Sequence, residues 1–66
     1  MEVTINGETR TLPEGETASG LIETLGLTGG RLALEVNGDI VPGSMYPTYR
    51  FEPRDQIEIV HAVGGG

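Results

Sequence analysis

"MEVTINGETRTL", residues 1–12, opens the chain by alternating Met1, Val3 and Ile5 with Glu2 and Thr4, and then places Asn6-Gly7 ahead of a second, more polar run. Asn-Gly is the dipeptide that best tolerates the positive φ angles of a two-residue hairpin loop, so residues 1–12 are predicted to form a β-hairpin. The register stays open. A two-residue loop sets Glu8 and Arg10 on the face of Ile5 and Val3, which is awkward for a buried face, whereas a longer loop sets Thr9 and Thr11 there.

A helix after this hairpin sets the fold class. Pro13, Glu14 and Gly15 make a turn, and "TASGLIETLGL" at 17–27 carries Leu21, Ile22 and Leu25 at helical spacing, with Thr17 as N-cap and Gly26 in the position of a C′ glycine. One short helix is predicted. Gly20 inside it costs about 1 kcal/mol against alanine, so the helix depends on the sheet to hold it. After a loop at 28–30, "RLALEVNGDIVP" (31–42) sets Leu32, Leu34 and Val36 on one face, offers a second Asn-Gly turn at 37–38, and ends in a short strand. "PGSMYPTYRFEPRD" (42–55) reads as an irregular connection closing in a turn with Pro53 at its second position. "QIEIVHAV" (56–63) is the last strand; Ile57 and Ile59 share one parity and are expected on Leu21 and Leu25, while Val60 and Ala62 point away from the core. Hairpin, helix, strand, irregular crossing and strand make a single α+β layer rather than a βαβαβ wind.

At 66 residues the chain has room for one domain and one thin core. Apolar residues are spread along its length and charges do not block together, so a folded domain is expected over disorder. Four basic against ten acidic residues give a net charge of −6, which opposes phosphate backbones and anionic lipid. Neither nucleic acid nor a membrane is an expected partner. The same charge serves solubility and steers the chain toward a basic protein surface. No apolar run is long enough for a membrane span, and Glu2, Thr4 and Asn6 break any signal-like start, so a soluble, cytoplasmic protein is expected. Cysteine is absent, which removes disulfides and side-chain thiolate chemistry.

Catalytic patterns are missing as well. No Gly-x-Gly-x-x-Gly opens a helix, no Gly-Lys-Ser/Thr exists, and the chain contains no lysine, so no nucleotide site is expected. His61 is the only histidine, and neither Ser19 nor Ser44 lies in a nucleophile elbow, so no Ser-His-acid set and no metal site is expected; His61 reads as a solvated strand-end residue. There remains the run Gly64, Gly65, Gly66 after the last strand. Glycine orders poorly at termini, so fraying alone would account for it.

"NGE" in the hairpin, "ETASGLIETLGL" as the helix, "LEVNGDIVP" and "RDQIEIVHAVGGG" together resemble the ThiS family, the sulfur carriers of thiamine thiazole synthesis, across essentially the entire chain. The Asn-Gly-x-Ile-Val-Pro stretch at 37–42, the Asp-x-Ile-Glu-Ile run at 55–59 and Gly65-Gly66 carry most of the likeness. The chain departs from the family at Gly43, where a basic residue is frequent, at Tyr46, where tryptophan is frequent, and at Pro53-Arg54-Asp55, where an acidic-Gly-Asp turn is common. His61-Ala62-Val63 fits this branch better than the small subunit of molybdopterin synthase, which usually runs longer and carries proline before its Gly-Gly.

The resemblance implies a ubiquitin-like β-grasp fold: a mixed sheet of four to five strands on one short helix over residues 1–63, with 64–66 as a flexible tail. It further implies that the chain is no enzyme but a protein cosubstrate. A ubiquitin-activating-like adenylyltransferase, using ATP and magnesium that this chain does not bind, would adenylate the carboxylate of Gly66, and a persulfide donor would turn it into a thiocarboxylate for thiazole synthase. Glycine at 65 and 66 would let the backbone thread a narrow partner site without crowding the carbonyl. Val60, Ala62 and Val63 would anchor the partner beside the tail. Two other readings remain open: a carrier for another pathway, such as molybdopterin, cysteine or a secondary metabolite, and a β-grasp interaction module whose glycines do nothing.

Overall fold

The computed structural model describes residues 1–27 and 31–62. Strands β1 (Glu2–Ile5) and β2 (Glu8–Thr11) form the first hairpin, helix α1 (Ala18–Thr24) comes next, and β3 (Arg31–Val36), β4 (Asp39–Val41) and β5 (Gln56–Ala62) complete a five-stranded sheet in the order β2-β1-β5-β3-β4. Only β1 and β5 run parallel; β1/β2, β3/β4 and β3/β5 are antiparallel. The sheet is therefore mixed, with five strands, and the α+β expectation holds. The loop expected at 28–30 lies outside the described residues.

The open register is resolved at the two-residue loop. Ile5 faces Glu8 and Val3 faces Arg10, with Asn6 at φ 51° and Gly7 at φ 84° in the left-handed region that such a turn requires. The awkward placement of Glu8 and Arg10 costs little, because β2 is an edge strand whose residues are all exposed. The second Asn-Gly turn repeats the geometry, Asn37 at φ 53° and Gly38 at φ 87°, and pairs Val36 with Asp39.

Helix α1 has the expected caps. The Thr17 hydroxyl accepts the Gly20 N–H at 3.1 Å, and at the other end the N–H groups of Gly26 and Leu27 reach the carbonyls of Glu23 and Ile22, both at 3.0 Å, with Gly26 at φ 70°. That pair of bonds is a Schellman motif. The connection after β4 is less irregular than its sequence suggests. A 3₁₀ turn at Gly43–Met45 leads into a segment whose carbonyls cap the helix start, Tyr49 accepting from Ala18 at 2.9 Å and Tyr46 from Ser19 at 3.1 Å. Phe51 then enters the core while its N–H donates to Glu16 at 3.0 Å. The connection thus satisfies donors that a helix of this length would otherwise leave to water.

The core lies on the helix side of the sheet: Val3 and Ile5 from β1, Leu34 and Val36 from β3, Val41 from β4, Ile57 and Ile59 from β5, with Leu12, Ala18, Leu21 and Phe51 against them. Ile57 and Ile59 are buried as expected; Leu21 is buried and Leu25 packs at the margin. Ala18, one turn before Leu21, completes the helix stripe.

Candidate functional site

The far end of β5 leads toward the glycine run. This strand is central, paired with β1 only at Thr4–Gln56 and Ile5–Ile57 but with β3 from Val36–Ile57 to Arg31–Ala62. Beyond Ile57 the flank toward β1 has no strand partner among the described residues. There the Asn6 carboxamide takes over, its Nδ2 donating to the Ile59 carbonyl at 3.1 Å and its Oδ1 accepting the Ile59 N–H at 2.8 Å. Asn37 does the same from the opposite side at the start of β5. Its Oδ1 accepts the Gln56 N–H at 2.9 Å, its own N–H donates to the Gln56 carbonyl at 2.8 Å, and its Nδ2 donates to Asp55 Oδ1 at 3.0 Å. A carboxamide offers both a donor and an acceptor, so each asparagine stands in for a residue of a neighbouring strand. Asp55, only 7% exposed, also accepts the Glu52 N–H at 2.8 Å, so its buried carboxylate is hydrogen-bonded on both oxygens.

The sheet face turned away from α1 carries Val60, which is 67% exposed, opposite Ala33. Next to this pair Glu58 lies opposite Glu35, and Glu35 in turn lies opposite Ile40, 74% exposed. Val60 is therefore where parity places it. Glu35, Glu58 and Ile40 carry no motif of their own, although their offset by one from Leu34, Ile59 and Val41 marks them for the same face. Ala62 continues β5 opposite Arg31; Val63, Gly64, Gly65 and Gly66 lie outside the described residues.

His61 corrects an expectation. It shares the parity of Ile57 and Ile59, so it turns to the helix side, where it is half-buried and its Nε2 is covered without a hydrogen-bond partner among the described residues. It lines a cleft of about 250 Å³ together with Ile5, Ile59 and Leu25 and the charged side chains of Glu8 and Arg10. It is not a solvated strand-end residue. Among the described residues no three His, Cys, Asp or Glu side chains cluster for a metal, and no helix is long and apolar enough to cross a membrane.

The ThiS family profile matches residues 3–66. Two thiazole synthases align over the whole chain, that of Magnetococcus marinus at 36% identity and that of Paramagnetospirillum magneticum at 38%, and in each the chain covers 20% of the relative's length. An uncharacterized protein of Porphyra purpurea, ycf40, aligns at 29% identity over 93% of its length. In fold, the crystal structure of the thiamine biosynthesis protein ThiS of Geobacter metallireducens matches with a TM-score of 0.83 over the whole of both chains, at 23% identity.

Proposed function

The chain belongs to the ThiS family, and from that premise we propose that it is a sulfur carrier whose reactive group is the carboxylate of Gly66. The observation that carries this reading is the family match, which runs through residue 66 and so takes in all three glycines. In the proposed reaction a carboxylate oxygen attacks the α-phosphorus of ATP on an adenylyltransferase and pyrophosphate leaves. The terminal sulfur of a persulfide then displaces AMP from the acyl carbon to give an acyl disulfide, and a thiol reductant attacks the donor-side sulfur of its S–S bond, forming a disulfide with the donor and releasing the thiocarboxylate. ATP and magnesium belong to that partner. This chain contributes a backbone without side chains at 64–66, which lets the carbonyl be approached from either side, and a core strand that carries it.

The thiazole pathway is the proposed destination, because the two relatives named as thiazole synthases each contain a stretch like this chain within their own sequence. Val60, Ala62 and Val63 are the proposed partner anchors, supported by the exposure of Val60 on the face away from the helix. The test is intact mass after incubation with an activating enzyme of the family, ATP, magnesium and a sulfur source. A species heavier by the exchange of one oxygen for sulfur is expected; its absence, with deletion of Gly66 making no difference, would overturn the carrier reading.

A further inference from the structure

The two Asn-Gly tips carry a chemistry that their turn geometry does not use. In an Asn-Gly sequence the backbone nitrogen of the glycine can attack the asparagine side-chain carbonyl carbon, because glycine presents no side chain to block the approach. The C–N bond to the side-chain amide breaks, ammonia leaves with the proton given up by the glycine nitrogen, and a cyclic succinimide results. Water then opens one imide carbonyl or the other, giving aspartate or isoaspartate. No oxidant or reductant is needed.

We propose that Asn6 and Asn37 are deamidation sites held shut by β5 and by Asp55, the residue that precedes it, which protect each carboxamide by hydrogen-bonding it. Asn6 is bound through both polar atoms to Ile59, and Asn37 through Oδ1 to Gln56 and through Nδ2 to Asp55. A carboxamide pinned in this way cannot turn its carbonyl carbon toward the following glycine nitrogen. Reaction therefore requires the tip to detach from β5 first, and its rate follows the fraction of time spent detached.

The products cannot restore the clamps. Aspartate at 6 keeps an acceptor for the Ile59 N–H but sets an oxygen where Nδ2 met the Ile59 carbonyl at 3.1 Å. Aspartate at 37 sets a second carboxylate against that of Asp55, where the Asn37 amide now donates at 3.0 Å. Isoaspartate adds a backbone methylene to a two-residue loop. Each event also adds one negative charge to a chain of net charge −6. This inference is independent of the sulfur-carrier reading.

The experiment is peptide-mapped mass spectrometry of the intact chain held at mildly alkaline pH, native and in guanidinium chloride, with each tip quantified separately. Two lost hydrogen bonds at ordinary net strength make the folded rate roughly tenfold or more slower than the denatured one. Equal rates would overturn the proposal without any variant. Asp55→Ala removes the acceptor of the Asn37 amide and is expected to speed reaction at 37 while leaving 6 unchanged. Asn6 is the internal control. If Asp55→Ala accelerates both tips together, whole-domain unfolding and not the local contact sets the rate, and the proposal fails; it fails equally if neither tip responds in a folded variant.

Discussion

At the scale of single residues, the turn from Glu52 to Asp55 holds a conformation its sequence does not favour. Pro53 sits at the second position, the Asp55 N–H reaches the Glu52 carbonyl at 3.2 Å, and Arg54 is at φ 69°. A left-handed residue with a Cβ costs about 1–2 kcal/mol, whereas glycine there costs only its greater freedom in the unfolded chain, about 0.4–1 kcal/mol. Arg54→Gly is thus expected to stabilise the domain by about 0.5–1 kcal/mol, a rise of several degrees in a thermal melt; an unchanged or lower melting temperature would refute the strain. Tyr49 gives a pH dependence. Burial first, and then the negative charges of Asp55, Glu52 and Asp39, raise its phenol above the ordinary 10.0. Below that value the phenol is neutral in both states and contributes no slope. As pH climbs past 10.0 the unfolded chain releases the proton first, so stability is lost from there up to the folded pKa. Denaturant titrations of the parent and Tyr49→Phe should run parallel at neutral pH, and the parent should fall away faster only above about 10; divergence at neutral pH would contradict this origin.

At the scale of elements, β5 sorts its residues by parity into two fates. Ile59→Asp sets an unpaired charge in the core described above and is expected to unfold the domain, a loss comparable to the whole stability of a domain this small, about 5 kcal/mol. Val60→Asp, one residue on, meets water and should melt within about 0.5 kcal/mol of the parent while lowering the yield of thiocarboxylate in the mass assay. A folded, fully active Val60→Asp would remove this face from the proposed interface. Parity also explains how much is legible in the sequence. The hairpins, the capped helix and the faces of β3 and β5 emerge from period-two and helical spacing together with Asn-Gly and the Thr17 and Gly26 caps. Phe51 and the helix-capping carbonyls of Tyr46 and Tyr49 obey no period, because that connection is shaped by the surface it packs on. Edge placement is likewise a tertiary fact, so no local pattern reveals that Glu8 and Arg10 on the core-facing side are harmless. His61 is readable from its spacing to Ile59, yet its place near the strand end suggests solvent. The proposed site itself is a backbone group, legible only through the family resemblance.

At the scale of the whole molecule, β5, the last of the described strands in chain order, occupies the middle of the sheet. Remove β5 and the order β2-β1-β5-β3-β4 falls apart into two hairpins with no strand between them. Isolated hairpins are marginal in water, and the contacts that would join these, such as Asn6 to Ile59, span 53 residues. A nascent chain on the ribosome is therefore expected to complete its sheet only once β5 has emerged. Synthesis interrupted before Gln56 is expected to leave a chain open to proteases and without the Val60 surface. The topology makes completion of β5 a condition of the chain's survival, a form of quality control that requires no dedicated inspector.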